Sequence, residues 1–406
     1  MFGRSTSTGS RPARANRGNA PVAIDFGRSS TRLLQLNHAD GMAYGCRAAA
    51  EIPGAGMPGG SGPLASEADL GSRMRQVLDG LGFVRGLATV TVPAECFQSD
   101  IARMPQMTDA ELADSVRFEA LDRFGIRPED SSIGHVRLGG TAGGTQEVLM
   151  LALPRACVQR ASAIASAAGL GLVRIEHAAL AALRAVGRQR ASECADPAEA
   201  QDFAMLHLED RVATLAIVRE GNLSFMRSIA GDWAPAGMTS IRRTASGRGT
   251  SLRLADDDIP VGSEGGPCDS AGWRWCSLAE ESLRCLRHFQ RTSGGWWPRA
   301  IAITGPAAMD PQAAATIESV CGAPCALSVP IRMIDAPEPC IQGNAWIAAI
   351  GGNCASLSAL ARNPRNEPQA QPLREPARRN RTVAGTGTIA LEPEPKPITT
   401  GEGAAA

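Results

Sequence analysis

The sequence predicts an α/β protein built from two related lobes. Strand-like and helix-like segments alternate between residues 88 and 186, which is typical of an α/β fold. Two stretches, beginning at Val22 and Ala204, share one order of strand, loop, strand, turn and strand. The chain has 406 residues, of which 44% are hydrophobic and 20% charged, so it is long enough for two such lobes with ordinary cores. A duplicated fold of this kind predicts a cleft between the lobes.

The first unit follows residues 1–20, a polar segment that is expected to be disordered. It reads VAIDFGRSSTRLLQL (22–36), with Asp25, Gly27 and three hydroxyl residues between two apolar strands. The hydroxyl residues are Ser29, Ser30 and Thr31. Such a loop suits a phosphate and its metal ion, because glycine lets backbone amides approach an anion and the carboxylate attracts the cation. A tight hairpin whose polar side chains satisfy nearby backbone groups explains the same residues.

The middle of the chain alternates between strands and helices. A capping box formed by Thr108 and Glu111 begins one helix, whose apolar residues recur every four positions as far as Phe124. Gly169 ends a second helix. The predicted series is strand Ala88–Val92, helix Thr108–Phe124, strand Val148–Leu153, helix Arg155–Ala168, strand Leu172–Glu176 and helix Ala178–Val186.

The second unit, AMLHLEDRVATLAIVREGNLSFMR from Ala204, has its turn at Glu220-Gly221, as the first unit has at Asp40-Gly41. Internal similarity of this kind predicts a duplicated fold. The following residues, 231–272, are rich in Gly, Asp, Ser and Pro and predict a long loose segment. Residues 363–406 are rich in Pro, Glu, Arg and Thr without an apolar face, and they predict a flexible tail.

The composition argues against several kinds of chemistry. The formal net charge is zero, which gives no electrostatic reason to bind nucleic acid. The sole lysine, Lys396, lies in the tail, so neither a P-loop nor a Schiff-base mechanism fits. Eleven cysteines without zinc-type spacing, in a chain without an apolar signal segment, predict reduced thiols in the cytosol. No apolar run approaches the roughly 18 residues that a membrane-spanning helix needs.

Residues 22–36 resemble the first phosphate loop of the actin-like ATPase superfamily, whose pattern is D-x-G-[ST]-x-[ST]. Two later stretches resemble PilM-like proteins of type IV pilus assembly, with the cytoplasmic domain of the type II secretion protein GspL as a related alternative. The first is ATVTVPAECFQSDIARMPQMTDAELADSVRFEALDRFGIRPEDSSIGHVRL (88–138), which contains an R-x-P step and a T-x-x-E-L helix. The second is EVLMLALPRACVQRASAIASAAGLGLVRIEHAALAALRAV (147–186), which contains an A-x-P-R turn and a helix ending in AAGL.

This resemblance implies a duplicated actin-like (ribonuclease H-like) two-lobed fold with an inserted 1C-type subdomain, as in FtsA-like proteins. The expected organisation is subdomain 1A at 21–87 and 151–200, the 1C-type insertion at 88–150, and the second lobe (2A and 2B) at 201–362. The resemblance also implies a role, because PilM-like proteins bind ATP and capture the short cytoplasmic peptide of PilN, a bitopic membrane protein. We therefore expect a cytoplasmic scaffold, peripheral to the inner membrane through a PilN-like partner, without nucleic acid and without direct membrane insertion.

In this superfamily ATP and Mg²⁺ lie between two phosphate loops and an adenosine loop. In HLEDRVAT (207–214), His207 stands where the family has aspartate, and Glu209 stands where it has glycine. A carboxylate there repels phosphate by about 4 kcal/mol at about 4 Å and an effective dielectric constant of about 20. In ITGPAAM (303–309), Pro306 replaces a glycine and removes a backbone donor. The residues that the resemblance assigns to the nucleotide are Asp25 (also to Mg²⁺), Gly27, Arg28, Ser29, Ser30, Thr31, Thr214 and Gly305.

These departures predict a degenerate nucleotide site in a non-enzymatic protein, with no cofactor. The alternative is an ATP-binding or ATP-hydrolysing actin-like protein that uses Asp25 with Mg²⁺ and a compensating carboxylate. The candidates for that carboxylate are Glu209, Asp210 and Glu176. Partner contacts are expected between subdomains 1A and 1C, on the 1C-type helix 109–124 and strand 88–92. For the apolar residues of the helix, membership of the subdomain's own core is the alternative explanation. The residues concerned are Val116, Phe118 and Phe124.

Overall fold

The computed structural model describes residues 21–28, 30–38, 44–53, 66–127, 129–138, 144–233, 272–328, 334–335 and 346–353. Residues 1–20 and 363–406, nearly all of 231–272, Ser29 and the Asp40-Gly41 turn lie outside these ranges. The strands are β1 (Val22–Phe26), β2 (Ser30–His38), β3 (Tyr44–Pro53), β4 (Leu87–Val92), β5 (Gln98–Pro105), β6 (Ser131–Arg137), β7 (Thr145–Pro154), β8 (Gly171–His177), β9 (Phe203–Leu208), β10 (Val212–Arg219), β11 (Asn222–Ala230), β12 (Ile301–Thr304), β13 (Cys325–Leu327) and β14 (Ile334–Asp335).

The helices lie between these strands as the α/β alternation predicts. They are α1 (Glu67–Gly80), α2 (Asp109–Phe124), α3 (Arg155–Ala167), α4 (Ala178–Glu193), α5 (Pro197–Gln201), α6 (Gly272–Thr292) and α7 (Pro311–Cys321), with short 3-10 turns at Ala94–Cys96 and Pro306–Met309. Among the helices of the described ranges, none combines the length and the apolar character that crossing a membrane requires.

The first lobe is built on a mixed sheet with the strand order β14-β3-β2-β1-β4-β8. β2 is antiparallel to β1 and to β3, whereas β4 and β8 continue the sheet in parallel with β1. Alternation along β1 sends Val22, Ile24 and Phe26 into a core with α1 and α3, and Ala23 into a second core with α4. A strand that is covered on both faces is normally apolar throughout. Asp25 is the one charged residue of β1, and it is buried with the rest of the strand.

The second lobe repeats this architecture in the order β11-β10-β9-β12-β13, with the same strand directions. One face of its sheet packs against α6 and α7, and the other shares a core with β1, β2 and α4 of the first lobe. At the β10–β11 turn, Glu220 and Gly221 have φ values of 50° and 74°. A two-residue hairpin of type I′ has positive φ at both of its central positions. The predicted duplicated, two-lobed fold is thus confirmed.

The inserted subdomain is a three-stranded antiparallel sheet in the order β5-β7-β6. Its outer face is covered by α2, whose Leu112, Val116 and Ala120 fill a small core with the sheet. The predicted capping box is present, since the Thr108 side chain accepts from the Glu111 backbone N–H and the Glu111 carboxylate accepts from the Thr108 backbone N–H at 2.9 Å. The inner face of the sheet joins the core that the two lobes share.

Strand pairing corrects the limits predicted for the insertion, 88–150. β4 was expected within it, but β4 pairs in parallel with β1 and so belongs to the sheet of the first lobe. The insertion begins at Gln98 with β5 and ends at Pro154 with β7. Sequence periodicity could not place this boundary, because a parallel pairing between distant strands leaves no local signal.

Residues 346–353 form a helical segment that lies on the sheet of the first lobe. The Asn353 side chain donates to the Leu34 carbonyl at 2.9 Å and accepts from the Leu36 N–H at 3.3 Å. Gly351 lies so close to the backbone of Ala181 in α4 that a Cβ atom would overlap the Ala181 carbonyl oxygen. The segment therefore anchors the end of the second lobe to the first lobe, and no sequence pattern had indicated it.

Candidate functional site

A row of polar residues crosses the sheet of the first lobe near the end of β1. The backbone register places Glu51 (β3), Arg32 (β2), Asp25 (β1), Thr91 (β4) and Glu176 (β8) opposite one another on five successive strands. Side chains paired in this way lie on one face of a sheet, close enough to interact. Asp25 is only 5% exposed, so its charge must find its partners within the protein.

Asp25 is bound by neighbouring side chains of this row. The Thr91 hydroxyl donates to Asp25 Oδ1 at 2.6 Å, and Arg32 Nη1 lies 3.4 Å from Asp25 Oδ2. Arg32 also pairs at 3.2 Å with Glu51, whose carboxylate accepts from the Ser30 hydroxyl at 2.5 Å. Burial raises the pKa of Asp25, and the Arg32 guanidinium opposes that rise. The positive charge of the guanidinium therefore neutralises the Asp25 carboxylate, as a bound metal ion would in a nucleotide site.

The second lobe repeats the row with different chemistry. The register places Thr214 (β10), His207 (β9) and Thr304 (β12) opposite one another, so His207 and Thr304 correspond to Asp25 and Thr91. His207 is 2% exposed, and its Nδ1 lies 2.9 Å from the Thr304 hydroxyl oxygen. Burial lowers the pKa of His207 to about 4, so the ring is neutral at pH 7. A neutral imidazole is a poor substitute for the oxygen ligands that Mg²⁺ prefers.

The loops that follow β1 and β9 face each other across the cleft. The Glu209 carboxylate accepts a hydrogen bond from the Ala94 N–H of the first lobe at 2.9 Å. Burial raises the pKa of Asp210, and Arg28, which lines the same cavity, gives the largest opposing contribution. The cavity between the loops measures about 40 Å³, room for roughly three water molecules. Its lining consists of Gly27, Arg28, Arg32, Pro93, Glu95, Glu209, Asp210, Arg211, Val212 and Pro306.

The glycines that the sequence analysis singled out have clear roles in the fold. The Gly27 N–H donates to the Ser30 carbonyl at 2.9 Å, and a Cβ atom on Gly27 would lie 2.9 Å from that same oxygen. Gly305 has a φ of 94°, and a Cβ atom there would lie 2.9 Å from the backbone nitrogen of Leu208. Both positions require glycine because backbone passes close by. A tight hairpin accounts for Gly27 without a phosphate.

The other predicted nucleotide residues are divided between the cleft and the sheets. Arg28 lines the cleft, and Asp25 lies behind it against Arg32. Thr31 and Thr214 are fully buried within β2 and β10. Ser29 lies outside the described residues. Glu176, one of the proposed compensating carboxylates, pairs instead with Arg184, and Arg174 lies 3.9 Å away.

Sequence reasoning missed Arg32, Thr91 and Thr304, although one of them left a signal. In β4 the alternation of threonine and valine, ATVTV, marks one polar face on a strand that is otherwise buried. No local pattern marks Arg32 or Thr304, because their roles depend on partners, Asp25 and His207, that lie on neighbouring strands. Within the described ranges, no group of three or more His, Cys, Asp or Glu side chains is arranged to hold a metal ion.

The three residues of α2 that were predicted to contact a partner differ in their exposure. Val116 is 1% exposed and Phe124 is half-buried, and both belong to the core beneath the helix. Phe118 is 77% exposed on the outer surface. Phe118 is therefore the member of this trio whose side chain a partner could reach without unfolding the subdomain.

Replacing Glu209 with glutamine should flatten the pH dependence of stability. Burial raises the Glu209 pKa from its ordinary value of 4.5 to about 8. A raised pKa in the folded state stabilises the protein at low pH, and that contribution is lost as the pH rises from about 4.5 through about 8. The amide keeps the acceptor for Ala94 and never ionises. Glu209→Gln should therefore match the wild type at pH 4.5 and exceed its free energy of unfolding by about 2 kcal/mol at pH 9, after allowance for partial exposure.

Urea unfolding at both pH values measures this difference. Glu95→Gln is a suitable control, since Glu95 is an exposed carboxylate that lines the same cavity. If Glu95→Gln reproduces the gain, the effect belongs to the general charge of the cleft and not to the Glu209 contact.

The two matched sheets and the cleft between them define a two-lobed α/β fold. No family model matches the sequence, and no curated protein is significantly similar to it. Among solved structures, a chain of the PilM-PilN type IV pilus biogenesis complex matches with a TM-score of 0.61 and 16% identity, over 83% of this chain and 98% of that one. The fold is therefore PilM-like and actin-like, as the sequence resemblance predicted.

Two further solved structures match with lower scores. One is a Bacteroides thetaiotaomicron protein with an actin-like ATPase fold and unknown function, with a TM-score of 0.42 and 7% identity over 80% of this chain and 98% of that one. The other is the cytoplasmic domain of EpsL, an inner membrane component of the type II secretion system of Vibrio cholerae, with a TM-score of 0.40 and 9% identity over 84% of this chain and 95% of that one.

Proposed function

We propose that this protein is a non-enzymatic scaffold of a type IV pilus or type II secretion-like assembly complex at the inner membrane. In this proposal it is cytoplasmic and captures the cytoplasmic peptide of a bitopic, PilN-like membrane partner. The observation that carries the proposal is that the polar groups at the cleft already have partners within the protein. Arg32 and Thr91 bind Asp25, and the Glu209 side chain accepts a hydrogen bond from the Ala94 N–H. The PilM-like fold supports the choice of assembly complex.

A cleft of this kind is poorly suited to Mg-ATP. To enter, the nucleotide would have to break the Arg32–Asp25 pair and displace Glu209 from the Ala94 N–H, while the second lobe offers a neutral His207 in place of a carboxylate. Asp25 would be the residue to hold Mg²⁺, and its carboxylate is already balanced by a fixed cation. We therefore propose that the cleft serves as a structural joint between the lobes.

Millimolar Mg-ATP should leave the melting temperature of the protein unchanged. A ligand at about 100 times its Kd stabilises the folded state by about 2.7 kcal/mol, which would raise the melting temperature by several degrees. Differential scanning calorimetry with and without Mg-ATP measures the shift. A rise that depends on magnesium and disappears in Asp25→Asn would favour the ATP-binding alternative.

The docking surface in this proposal includes the outer face of α2. Aromatic side chains are enriched among the residues that dominate binding energies at protein interfaces. Phe118 projects from a helix whose opposite face is fixed by Leu112, Val116 and Ala120 in the core. A rigid aromatic residue on a fixed helix can bind an apolar side chain of a peptide at little entropic cost.

Phe118→Ala should weaken capture of the partner peptide at least about tenfold, because an exposed aromatic anchor is lost. The peptide would be the cytoplasmic N-terminal segment of the proposed PilN-like partner, to be sought among the neighbouring genes, and fluorescence anisotropy would measure its Kd. Leu81→Ala is the matched control, since Leu81 is 53% exposed on the first lobe. Equal affinity of Phe118→Ala and the wild type, with both folded, would rule out this surface.

A further inference from the structure

Two cysteines lie where the chain passes between the first lobe and the inserted subdomain. Cys96 ends the 3-10 turn Ala94–Cys96, two residues before β5 opens the subdomain. Cys157 lies in the first turn of α3, immediately after β7 closes it. These are the two covalent connections of the subdomain, so a bond between the cysteines would join its entry to its exit.

The topology brings the two thiols together. The antiparallel register of β5 and β7 pairs Gln98 with Ala152, and its continuation brings Cys96 to the start of α3. The two thiols also interact electrostatically, since each gives the largest contribution to the shift of the other's pKa. Both residues are half-buried and pack against the same core of the first lobe. They are thus in contact with each other and within reach of a small solute.

Cys157 has the environment of a reactive thiol. The interaction with Cys96 lowers the Cys157 pKa to about 7, and nearby Arg160 acts in the same direction. Its position in the first turn of α3 also favours a thiolate, because the backbone dipoles there are positive. Cys96 has a raised pKa, chiefly through the interaction with Cys157 and through burial.

A second neighbouring pair in the described part of the chain, Cys321 and Cys325, has none of these features. The Cys321 thiol donates to the Ala279 carbonyl at 3.6 Å, and the Cys325 thiol donates to the Ala323 carbonyl at 3.4 Å. Burial raises the pKa of both thiols. Cys321 and Cys325 thus interact with backbone carbonyls. Cys96 and Cys157 differ from them because the two thiols interact with each other and Arg160 lies near Cys157.

We propose that Cys96 and Cys157 form a reversible disulfide when a hydroperoxide is present. The Cys157 thiolate attacks the terminal peroxide oxygen, which gives a sulfenic acid and releases hydroxide, or an alkoxide from an organic peroxide. The Cys96 thiol then attacks the Cys157 sulfur and expels the sulfenic oxygen as water. In sum, two thiols and hydrogen peroxide give one disulfide and two waters, and a small dithiol reverses the reaction.

The bond would close a loop that contains the whole inserted subdomain. It would also hold the turn whose Ala94 N–H binds Glu209 of the second lobe. Oxidation would thus fix the subdomain on the first lobe and raise the melting temperature. If the proposed docking function holds, the same bond fixes α2 relative to the first lobe and changes the affinity for the partner peptide.

Peptide mapping tests the disulfide on the full-length protein. After treatment with hydrogen peroxide and alkylation without reductant, trypsin releases Cys96 in the peptide 86–103 and Cys157 in the peptide 156–160. We expect these two peptides to be joined, two hydrogens lighter than their sum, and to separate after reduction. Cys157→Ser should abolish the linked species. Cys96→Ser should leave a sulfenic acid on Cys157 that dimedone labels.

Three results would overturn the inference, and the first needs no variant. One is a wild-type map without the Cys96–Cys157 link under conditions that oxidise Cys321 or Cys325. Another is Cys157 that dimedone leaves unlabelled in folded Cys96→Ser. A third is an equal melting temperature of reduced and oxidised wild type. Peptide affinity is measured separately, so a protein that forms the disulfide but captures no peptide in either state contradicts only the proposed docking function.

Discussion

Arg32→Met should lower the free energy of unfolding by about 3–5 kcal/mol at pH 7, because it leaves the Asp25 carboxylate buried without its cation. The Arg32 side chain is 9% exposed and the Asp25 side chain 7%, so water cannot replace the lost partner. Without Arg32 the Asp25 pKa rises further above its ordinary value. A raised pKa favours the folded state at low pH, so the loss should shrink as the pH falls toward 5. Urea unfolding at pH 5 and pH 7 measures both effects.

Two variants separate this explanation from a simple loss of packing. In Asp25→Asn/Arg32→Met both charges are gone and the amide still accepts from Thr91, so most of the lost stability should return. Arg85→Met removes an exposed guanidinium that pairs with Asp79 on the surface, and it should cost about 1 kcal/mol or less. If the double variant is no more stable than Arg32→Met, the apolar stem of Arg32 is what matters.

Gly351→Ala should destabilise the protein by about 3 kcal/mol, because the new methyl group would overlap the backbone of Ala181. Neither α4 nor the 346–353 segment can yield easily. The segment is fixed by Asn353 on β2, and α4 is buried in the shared core. The expected result is a lower urea midpoint with a loss of contact between the lobes, measurable as faster proteolysis.

Gly187→Ala is the matched control for this prediction. Gly187 lies within α4, and no other part of the described structure lies within 4 Å of a Cβ atom placed there. Alanine is favoured over glycine in a helix interior, so this variant should gain about 0.5–1 kcal/mol. A Gly351→Ala protein as stable as the wild type would mean that the segment does not rest on α4 as closely as described.

Elements with a complete local signal were predictable. Thr108 and Glu111 set the start of α2 through contacts three residues apart, and the Glu220-Gly221 turn required left-handed backbone. The internal duplication was legible because both units use the same series of strands and a turn. The boundary of the insertion could not be predicted from the sequence, since the place of β4 depends on parallel pairing with β1 across a long stretch of chain.

The candidate site shows the same division more sharply. The sequence by itself determined that Asp25 lies near the end of a buried strand and that His207 and Glu209 occupy the corresponding stretch of the second lobe. Only the tertiary structure decided what Asp25 is bonded to, because Arg32, Thr91 and Glu51 come from three other strands and their register is fixed by sheet pairing. A buried charge is governed by the partners that surround it in space, and those partners are set by the packing of distant segments.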